Sequence, residues 1–243
     1  MKNNLLILGA SSDLALSVIP KVHKRFETIF AHYHSSPDAL KHLAESLPSD
    51  IRPLQADFNS EDDTKHLIEQ VADSGKTITH VLHCPSAKVK TVRFKNSAWD
   101  SYEKMLNTQV RSLYYVLRSV LSEMAKNKYG KIVSILTSYT VGTPPAFLSD
   151  YIMAKYAQLG ILKALAAEYA DKNIQINAVS PSMMETKFLT ELSRFAVQQS
   201  AQGHPQGRNA EVDDVASAVE FFLSEKSDFI TGQNLLVSGG EPI

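Results

Sequence analysis

The sequence predicts an α/β fold in which one parallel sheet is covered by helices on both faces. Short apolar or β-branched runs alternate with helical patterns along all 243 residues, and no linker, repeat or low-complexity tract interrupts them. This alternation is typical of βαβ units. A chain of this length with 44% hydrophobic residues can bury a full core, so we expect a single domain spanning residues 1–243.

The predicted elements follow one another in regular order. The strands are NLLILG, TIFAHYH, IRPLQAD, HVLHCPS, GKIVSILTS, IQINAVSPS and NLLVSGG. The helical patterns between them are DLALSVIPKVHKRF, PDALKHLAESL, EDDTKHLIEQVADS, one long helix from Trp99 to Lys128, YIMAKYAQLGILKALAAEYADK and EVDDVASAVEFFLSEK. Strand and helix therefore alternate as a doubly wound sheet requires.

One segment, residues 183–209, has no clear strand role. Phe188, Leu189, Leu192 and Phe195 recur in it at helical intervals and predict one apolar helix face. Ligands of open parallel sheets bind beyond the carboxyl ends of the strands. Because this segment follows a strand, we expect it to cover a substrate there.

Composition excludes several classes of function. A formal net charge of −1 with 21% charged residues gives no indication of a nucleic-acid partner or a charged membrane surface. The apolar runs are strand-sized, too short to span a bilayer, and the N-terminal run suits a first strand better than a signal peptide. We therefore expect a cytoplasmic protein. The single cysteine, Cys84, rules out an internal disulfide and makes a cysteine-based metal site unexpected.

The stretch LLILGASSDLALSVIP has the strand, turn and helix order of a phosphate-binding site. A dinucleotide-binding turn normally has further glycines four and six residues after the first, where this chain has Asp13 and Ala15. The N–H groups of a helix N-terminus, rather than glycine as such, attract a pyrophosphate. We therefore predict weakened dinucleotide binding with Asp13 turned outward to solvent. The alternative is that Asp13 belongs to the site by bonding the amides of its own loop.

The strongest indication of chemistry is the set Ser138, Tyr151 and Lys155. Tyr151 and Lys155 lie four residues apart on a predicted helix and share one face, and Ser138 ends a predicted strand at the ligand edge. A nearby lysine favours the phenolate and is expected to lower the tyrosine pKa. The alternative is an ordinary amphipathic helix in which Tyr151 packs and Lys155 is solvated.

Motifs in order along the chain resemble the classical short-chain dehydrogenase/reductase (SDR) family, especially its 3-oxoacyl-acyl-carrier-protein reductase-like members. They are Gly9 with ASS, the pair Ala56 and Asp57, Asn107, Ser138, Tyr151 thirteen residues later, Lys155, NAVSPSMMET and ITGQNLLVSGG. The resemblance implies a single Rossmann-type doubly wound domain with a seven-stranded parallel sheet. It also implies homodimers or homotetramers built on the helices around Asn107 and Tyr151.

The resemblance assigns four catalytic roles. Tyr151 is the general acid/base, Ser138 polarises the carbonyl, Lys155 holds the nicotinamide ribose and lowers the tyrosine pKa, and Asn107 supports a proton-relay water. The family's NNAG is replaced here by HCPS, and its PG by Pro181 and Ser182. We interpret the histidine of HCPS, His83, as a structural residue that replaces an amide.

The cofactor is expected to be NADP, with NAD as the alternative. An acid at the end of the second strand would hold the adenosine ribose and repel a 2′-phosphate, but His34 stands near that position with serines after it. The residues expected at the cofactor are Gly9, Ser11, Ser12, Asp13, Leu14, His34, Ser35, Asp57, Phe58, Cys84, Pro85, Tyr151, Lys155, Pro181, Ser182, Met184 and Thr186.

The expected activity is hydride transfer between NAD(P) and a carbonyl or secondary alcohol, with reduction of an apolar ketone or a 3-oxoacyl substrate as the expected direction. The residues expected to line the substrate are Ser138, Phe147, Leu148, Met183, Phe188 and Leu192. Basic residues for docking an acidic carrier protein are not obviously clustered. The alternative is a non-catalytic, dinucleotide-binding regulatory or scaffold protein, which the missing glycines would suit. Retention of four side chains with a chemical role favours the enzyme.

Overall fold

The computed structural model describes residues 2–187, 189 and 194–241. All seven strands that it contains belong to one parallel sheet. They are β1 (Asn4–Leu8), β2 (Thr28–Tyr33), β3 (Asp50–Gln55), β4 (His80–His83), β5 (Gly130–Ile135), β6 (Ile174–Pro181) and β7 (Asn234–Val237). The seven-stranded parallel sheet predicted above is confirmed.

The α-helices alternate with these strands. They are α1 (Asp13–Val22), α2 (Asp38–Ser46), α3 (Glu61–Asp73), α4 (Trp99–Met105), α5 (Ser112–Asn127), α6 (Ser149–Glu168), α7 (Arg194–Gly203) and α8 (Val212–Phe222). Hydroxyl caps start two of them, since Ser12 accepts the N–H of Ala15 and Ser60 that of Asp63. None of the helices described is long and apolar enough to cross a membrane.

The strand order is β3-β2-β1-β4-β5-β6-β7. The chain therefore reverses its winding direction between β1 and β4, which creates a crevice at the carboxyl ends of these two strands. Alternate strand residues face opposite sides: Leu5 and Ile7 pack in a core cluster with α1 and α8, whereas Leu6 and Leu8 pack with α3, α5 and α6. Helices thus cover both faces, as the predicted doubly wound Rossmann-type fold requires.

Two local predictions are corrected, and a third is tested only in part. The single helix predicted from Trp99 to Lys128 is interrupted by a π turn over Leu106–Arg111. Strand β5 ends at Ile135, so Ser138 lies in the short 3-10 turn Ser138–Thr140 that follows it. In residues 183–209 the described α-helix is Arg194–Gly203, and Phe195 on it is 72% exposed, while Phe188 and Leu192 of the predicted apolar face lie outside the described residues.

The ends of this segment are pinned together. Met184 and Ala210 form an isolated parallel bridge, the N–H of Ala210 bonds the carbonyl of Met183, and the N–H of Glu185 bonds the carbonyl of Ala210. The connection therefore leaves β6 and returns to its starting point before α8. Phe188 and Leu192, which were expected to line the substrate, lie outside the described residues.

Candidate active site

Tyr151, Lys155 and Ser138 come together at the carboxyl edge of the sheet. Helix α6 buries both Tyr151 and Lys155, and the turn that carries the buried Ser138 packs against this helix. The Lys155 Nζ lies 5.7 Å from the centre of the Tyr151 ring and donates a hydrogen bond to the carbonyl of Ile135, at 2.8 Å. The alternative of a solvated lysine on an ordinary amphipathic helix is therefore wrong.

The electrostatics of this pair differ from the expectation. Burial raises the pKa of Tyr151 to about 12, although a hydrogen bond with Thr137 acts to lower it. Burial also lowers the pKa of Lys155 to about 7. The predicted lowering of the tyrosine pKa is wrong for the protein alone, because desolvation by burial is the largest influence on this group. Tyr151 is consequently a phenol at neutral pH, in the form that can donate a proton.

Asn107 lies in the π turn between α4 and α5. Its carbonyl accepts the N–H of Ser112, five residues on, which widens the helix at this point. Single π turns inside α-helices occur frequently at functional sites, because the wider turn shifts side chains and carbonyls away from the regular helical register. Asn107 itself is half-buried, as a residue beside a cleft should be.

The phosphate-binding turn retains the glycine that its geometry needs. Gly9 has φ +72°, and a Cβ there would lie 3.2 Å from the backbone N of Pro85 and 3.3 Å from the carbonyl carbon of Cys84. Neither Asp13 nor Ala15 has a positive φ, so their backbone conformations do not require glycine. Loss of the second and third glycines therefore leaves the turn intact.

Asp13 is the first residue of α1, and Ser12 rather than Asp13 caps that helix. One carboxylate oxygen of Asp13 accepts the backbone N–H of Lys187 at 2.7 Å, while the Lys187 Nζ lies 3.9 Å from the other oxygen. The carboxylate is only 24% exposed, so it neither points to solvent nor bonds its own loop. Both sequence-based expectations for Asp13 are corrected: it links α1 to the segment after β6.

A histidine that the sequence reasoning missed supports this turn. His32, buried on β2, accepts the N–H of Gly9 on Nδ1 at 3.0 Å and bonds the carbonyl of Ala56 through Nε2 at 3.0 Å. Because Nδ1 accepts, the proton must lie on Nε2, and burial lowers the pKa of this ring to about 4. His32 therefore ties the ends of β1, β2 and β3 together. A polar residue inside the apolar run TIFAHY was the available indication.

The residues expected near adenosine lie at the tips of β2 and β3. His34 and Ser35 are exposed there, and the His34 Nε2 lies 3.7 Å from a carboxylate oxygen of Asp57. Phe58 is buried and stacks on the His32 ring with centroids 4.1 Å apart. The residues expected near adenosine are thus neighbours, while the Phe58 ring belongs to the core.

The first residue of HCPS has a structural role, and the second is not reactive at neutral pH. His83 is fully buried and bonds Ser112 on α5 and Gln158 on α6, as predicted for a structural histidine. Burial raises the pKa of the Cys84 thiol to about 12, so it is no nucleophile at neutral pH. Within residues 2–187, 189 and 194–241, no group of three or more metal-ligating side chains could hold a metal ion.

A dinucleotide fits the residues of this edge. The crevice offers the N-terminus of α1 and the buried hydroxyl of Ser182, which has no hydrogen-bond partner. Leu14 and Pro85 are buried, Pro181 ends β6, and Met184 and Thr186 follow it. A donor-rich edge of this kind suits a phosphorylated ligand.

Apolar side chains surround Tyr151. Tyr151 clusters with Leu148 and with two residues that sequence reasoning missed, Val89 and Met105. Phe147 has a strained φ of +73° and is half exposed, with its carbonyl accepting the N–H of Val92. Leu148 therefore lines the interior, whereas Phe147 lies at the rim. Met183 is half-buried at the end of β6.

A dinucleotide groove beside an acid–base pair is the combination expected of a nicotinamide-dependent oxidoreductase. Comparison with known proteins agrees: residues 9–241 match the family model described as enoyl-(acyl carrier protein) reductase. The chain is 31% identical to the uncharacterised oxidoreductase YmfI of Bacillus subtilis, over 99% of both chains. It is 27% identical to the 3-oxoacyl-[acyl-carrier-protein] reductase of Thermotoga maritima, over 97% of this chain and 96% of the relative.

Among solved structures, that of ElxO with NADP bound superposes with a TM-score of 0.86 at 26% identity and covers 99% of each chain. The chain belongs to the short-chain dehydrogenase/reductase family. Within its classical members it is similar to the 3-oxoacyl-acyl-carrier-protein reductases, as the sequence motifs predicted.

Proposed function

We propose that this protein is an NADPH-dependent reductase of an apolar ketone or a 3-oxoacyl substrate. The observation that carries the proposal is the buried Tyr151–Lys155 pair beside Ser138 at the sheet edge. The similarity to a 3-oxoacyl-[acyl-carrier-protein] reductase supports the acyl alternative, and the apolar cluster around Tyr151 supports either substrate.

The proposed division of labour follows from the protonation states. The bound nicotinamide supplies a hydride, and this chain supplies the proton and the positioning. With a pKa of about 12, Tyr151 holds its proton on the phenol oxygen and can pass it to the developing alkoxide, which favours reduction over oxidation at neutral pH. The Ser138 hydroxyl donates to the substrate oxygen and orients it.

Lys155 and Asn107 are proposed to support this transfer. The ammonium of Lys155 has three N–H donors, and one of them bonds the carbonyl of Ile135. The other two N–H groups can donate to the ribose hydroxyls. With its pKa near 7, Lys155 also titrates in the range where it can restore a proton to Tyr151. Asn107, on its π turn, is proposed to hold the water that connects Lys155 to solvent.

We propose that NADP is preferred over NAD. Support comes from the tips of β2 and β3, where His34 and Ser35 are exposed and a carboxylate at the end of β2 is absent. The imidazole and the hydroxyl can donate to a 2′-phosphate, whereas a carboxylate at that position would repel it. ElxO, the relative solved with NADP, supports a phosphorylated cofactor as well.

A charge substitution tests this preference. His34→Asp should shift the ratio of NADPH to NADH affinity toward NADH by roughly tenfold or more, because it places a carboxylate against the 2′-phosphate. His42→Asp, the same change on the exposed face of α2, is the control and should leave the ratio unchanged. A wild-type protein that binds NADH more tightly in parallel titrations would contradict the proposal.

Residues 183–209 are proposed to cover the substrate, and the whole chain is proposed to act as one domain in a homodimer or homotetramer. The bridge between Met184 and Ala210 supports this proposal, because it holds the two ends of the segment together next to the end of β6. Sedimentation of the purified protein measures the oligomeric state directly.

The experiment that tests the function is a substrate panel. Ketones and 3-oxoacyl thioesters are offered with NADPH and then with NADH, and consumption of the reduced cofactor is followed by its absorbance. Turnover with at least one ketone class, lost in Tyr151→Phe, is expected. Tight cofactor binding without turnover of any substrate in the panel would overturn the proposed reductase function and favour a regulatory or scaffold protein.

A further inference from the structure

His83 lies where three elements of the active site meet. It is the last residue of β4, it is fully buried, and it faces α5 and α6. Ser112, its partner on α5, begins the helix directly after the π turn. Gln158, its partner on α6, lies three residues beyond Lys155, close to one helical turn.

The hydrogen bonds around His83 can be ordered by proton count. The Ser112 hydroxyl has one proton and donates it to the carbonyl of Thr108 at 2.6 Å. The Ser112 Oγ must then accept from the His83 Nε2, at 3.0 Å. This leaves the His83 Nδ1 without a proton, so it accepts from the Gln158 Nε2 at 3.2 Å. The ring is therefore neutral, and each of its nitrogens is engaged in a different helix.

These bonds connect the two halves of the acid–base machinery. The backbone N–H of Ser112 donates to the carbonyl of Asn107, and its hydroxyl donates to the carbonyl of Thr108. Both hydrogen bonds of Ser112 therefore hold the π turn in place. Fixing Ser112 thus fixes the position of Asn107. The hydrogen bond from Gln158 connects His83 to α6, the helix that carries Tyr151 and Lys155. We call the connection from Ser112 through His83 to Gln158 the strut. A shorter amide side chain at position 83 could not span both helices.

We propose that His83 is a positioning residue that sets Asn107 relative to Lys155, acting through Ser112 and Gln158. This proposal rests on the proposed function, since it concerns the proton supply to Tyr151. It goes beyond a structural role because it predicts a change in proton transfer, and not only in stability.

Two conservative variants separate the hydrogen bond from His83 to Ser112 from the hydrogen bond between His83 and Gln158. The amide of a glutamine can reach the place of the His83 Nε2, and that of an asparagine the place of Nδ1. His83→Gln should therefore keep the donor to Ser112 and retain turnover within about threefold of wild type. His83→Asn should lose that donor and turn over roughly 10-fold to 100-fold more slowly, with a shifted pH profile of kcat and cofactor affinity changed less than threefold.

Ser112→Ala tests the hydrogen bond from His83 to Ser112 from the other side. It should reproduce the loss in His83→Asn, and the double variant should be no slower than either single variant, because both remove one connection. His80→Leu is the matched control. It changes a second buried histidine of β4, at the opposite end of the strand, and should leave the pH profile of kcat unchanged.

A readout without turnover keeps this proposal separate from the proposed function. Hydrogen exchange of the amides in Leu106–Ser112 should accelerate in His83→Asn and in Ser112→Ala but not in His80→Leu. If the wild-type protein lacks reductase activity, the proposed function fails while exchange still reports the strut. Unchanged exchange, or equal turnover and pH profiles in His83→Gln and His83→Asn, would overturn the proposal.

Discussion

At the scale of single residues, burial decides which protonation states the site can use. Tyr151 and Lys155 are both almost completely removed from water, and desolvation disfavours the charged form of each. The tyrosine is held as a phenol, and the lysine loses its proton near neutral pH. These protonation states are the ones that the proposed proton donor and its proposed proton source require.

Tyr151→Phe keeps the ring in the apolar cluster with Leu148 and Met105 but removes the proton. We expect turnover to fall by roughly 10²-fold to 10⁴-fold, with folding and NADPH binding preserved. Steady-state kinetics and a cofactor titration measure both. Tyr156→Phe, on the same helix with 45% of its surface exposed, serves as the control. Near wild-type turnover in Tyr151→Phe would contradict its role.

Asp13 has a hydrogen bond and a negative charge whose effects can be separated by substitution. Asp13→Asn keeps an oxygen that can accept the N–H of Lys187 but removes the charge near the pyrophosphate site, so cofactor affinity should rise by roughly 3-fold to 10-fold. Asp13→Gly should tighten binding similarly, but it loses the hydrogen bond and about 1 kcal/mol of stability.

Calorimetric titration and thermal melts measure both effects of the Asp13 variants. Asp38→Asn, in the first turn of α2, controls for removal of an acid from a helix N-terminus. Weaker cofactor binding by Asp13→Asn would show that the carboxylate supports the binding conformation of the segment after β6.

At the scale of elements, the β1–α1 turn depends on a close approach of backbone to backbone. Gly9→Ala meets a left-handed φ and the backbone of Cys84 and Pro85, whereas Gly75→Ala meets a similar φ of +67° with open space around it. Strain alone should cost Gly75→Ala about 1–2 kcal/mol of unfolding free energy.

The Gly9→Ala variant should lose about 1–3 kcal/mol more than Gly75→Ala, because backbone atoms cannot move aside as a side chain can. It should also bind NADPH more weakly, while Gly75→Ala binds it normally. Denaturant unfolding of the two variants gives the difference. Equal losses of stability would mean that the turn relaxes around the new methyl group.

At the scale of the whole molecule, buried neutral histidines couple the fold to pH. Burial lowers the pKa of His32 to about 4 and that of His80 to about 3, both from 6.5. Below pH 6.5 these two histidines are therefore protonated in the unfolded chain while they stay neutral in the folded chain. Stability is fully present above pH 6.5 and is lost as pH falls toward 4, by roughly 1.4 kcal/mol per pH unit for each histidine.

Unfolding free energies measured between pH 7 and 4.5 should therefore fall steeply. Lys155 titrates at a higher pH and is already protonated in both states over most of this window. His80→Gln, which cannot take up a proton, should flatten the slope by about one histidine's share. A slope unchanged in this variant would show that His80 does not govern the acid response.

The whole-molecule architecture was largely predictable from the sequence. Every predicted strand exists and the sheet is parallel, because alternating apolar runs and amphipathic segments specify the βαβ repeat locally. The shared face of Tyr151 and Lys155 also follows from local structure, since residues four apart on a helix lie on one side, whereas the approach of Ser138 to them depends on tertiary packing. The glycine-poor turn was interpretable because a helix N-terminus keeps its N–H groups whatever residues follow.

Contacts between distant segments could not be predicted in the same way. The bond from the Lys187 N–H to Asp13 joins residues 174 positions apart, and the strut from His83 to Gln158 joins residues 75 positions apart. The pKa direction of Tyr151 depends on how many neighbours exclude water from it, which a four-residue spacing does not contain. The sequence determined the order of the elements and the types of side chain at the sheet edge, because periodicity and propensity act locally. The protonation states and the partners of Asp13, His32 and His83 depend on tertiary packing, because desolvation and hydrogen bonds between distant segments exist only in the folded chain.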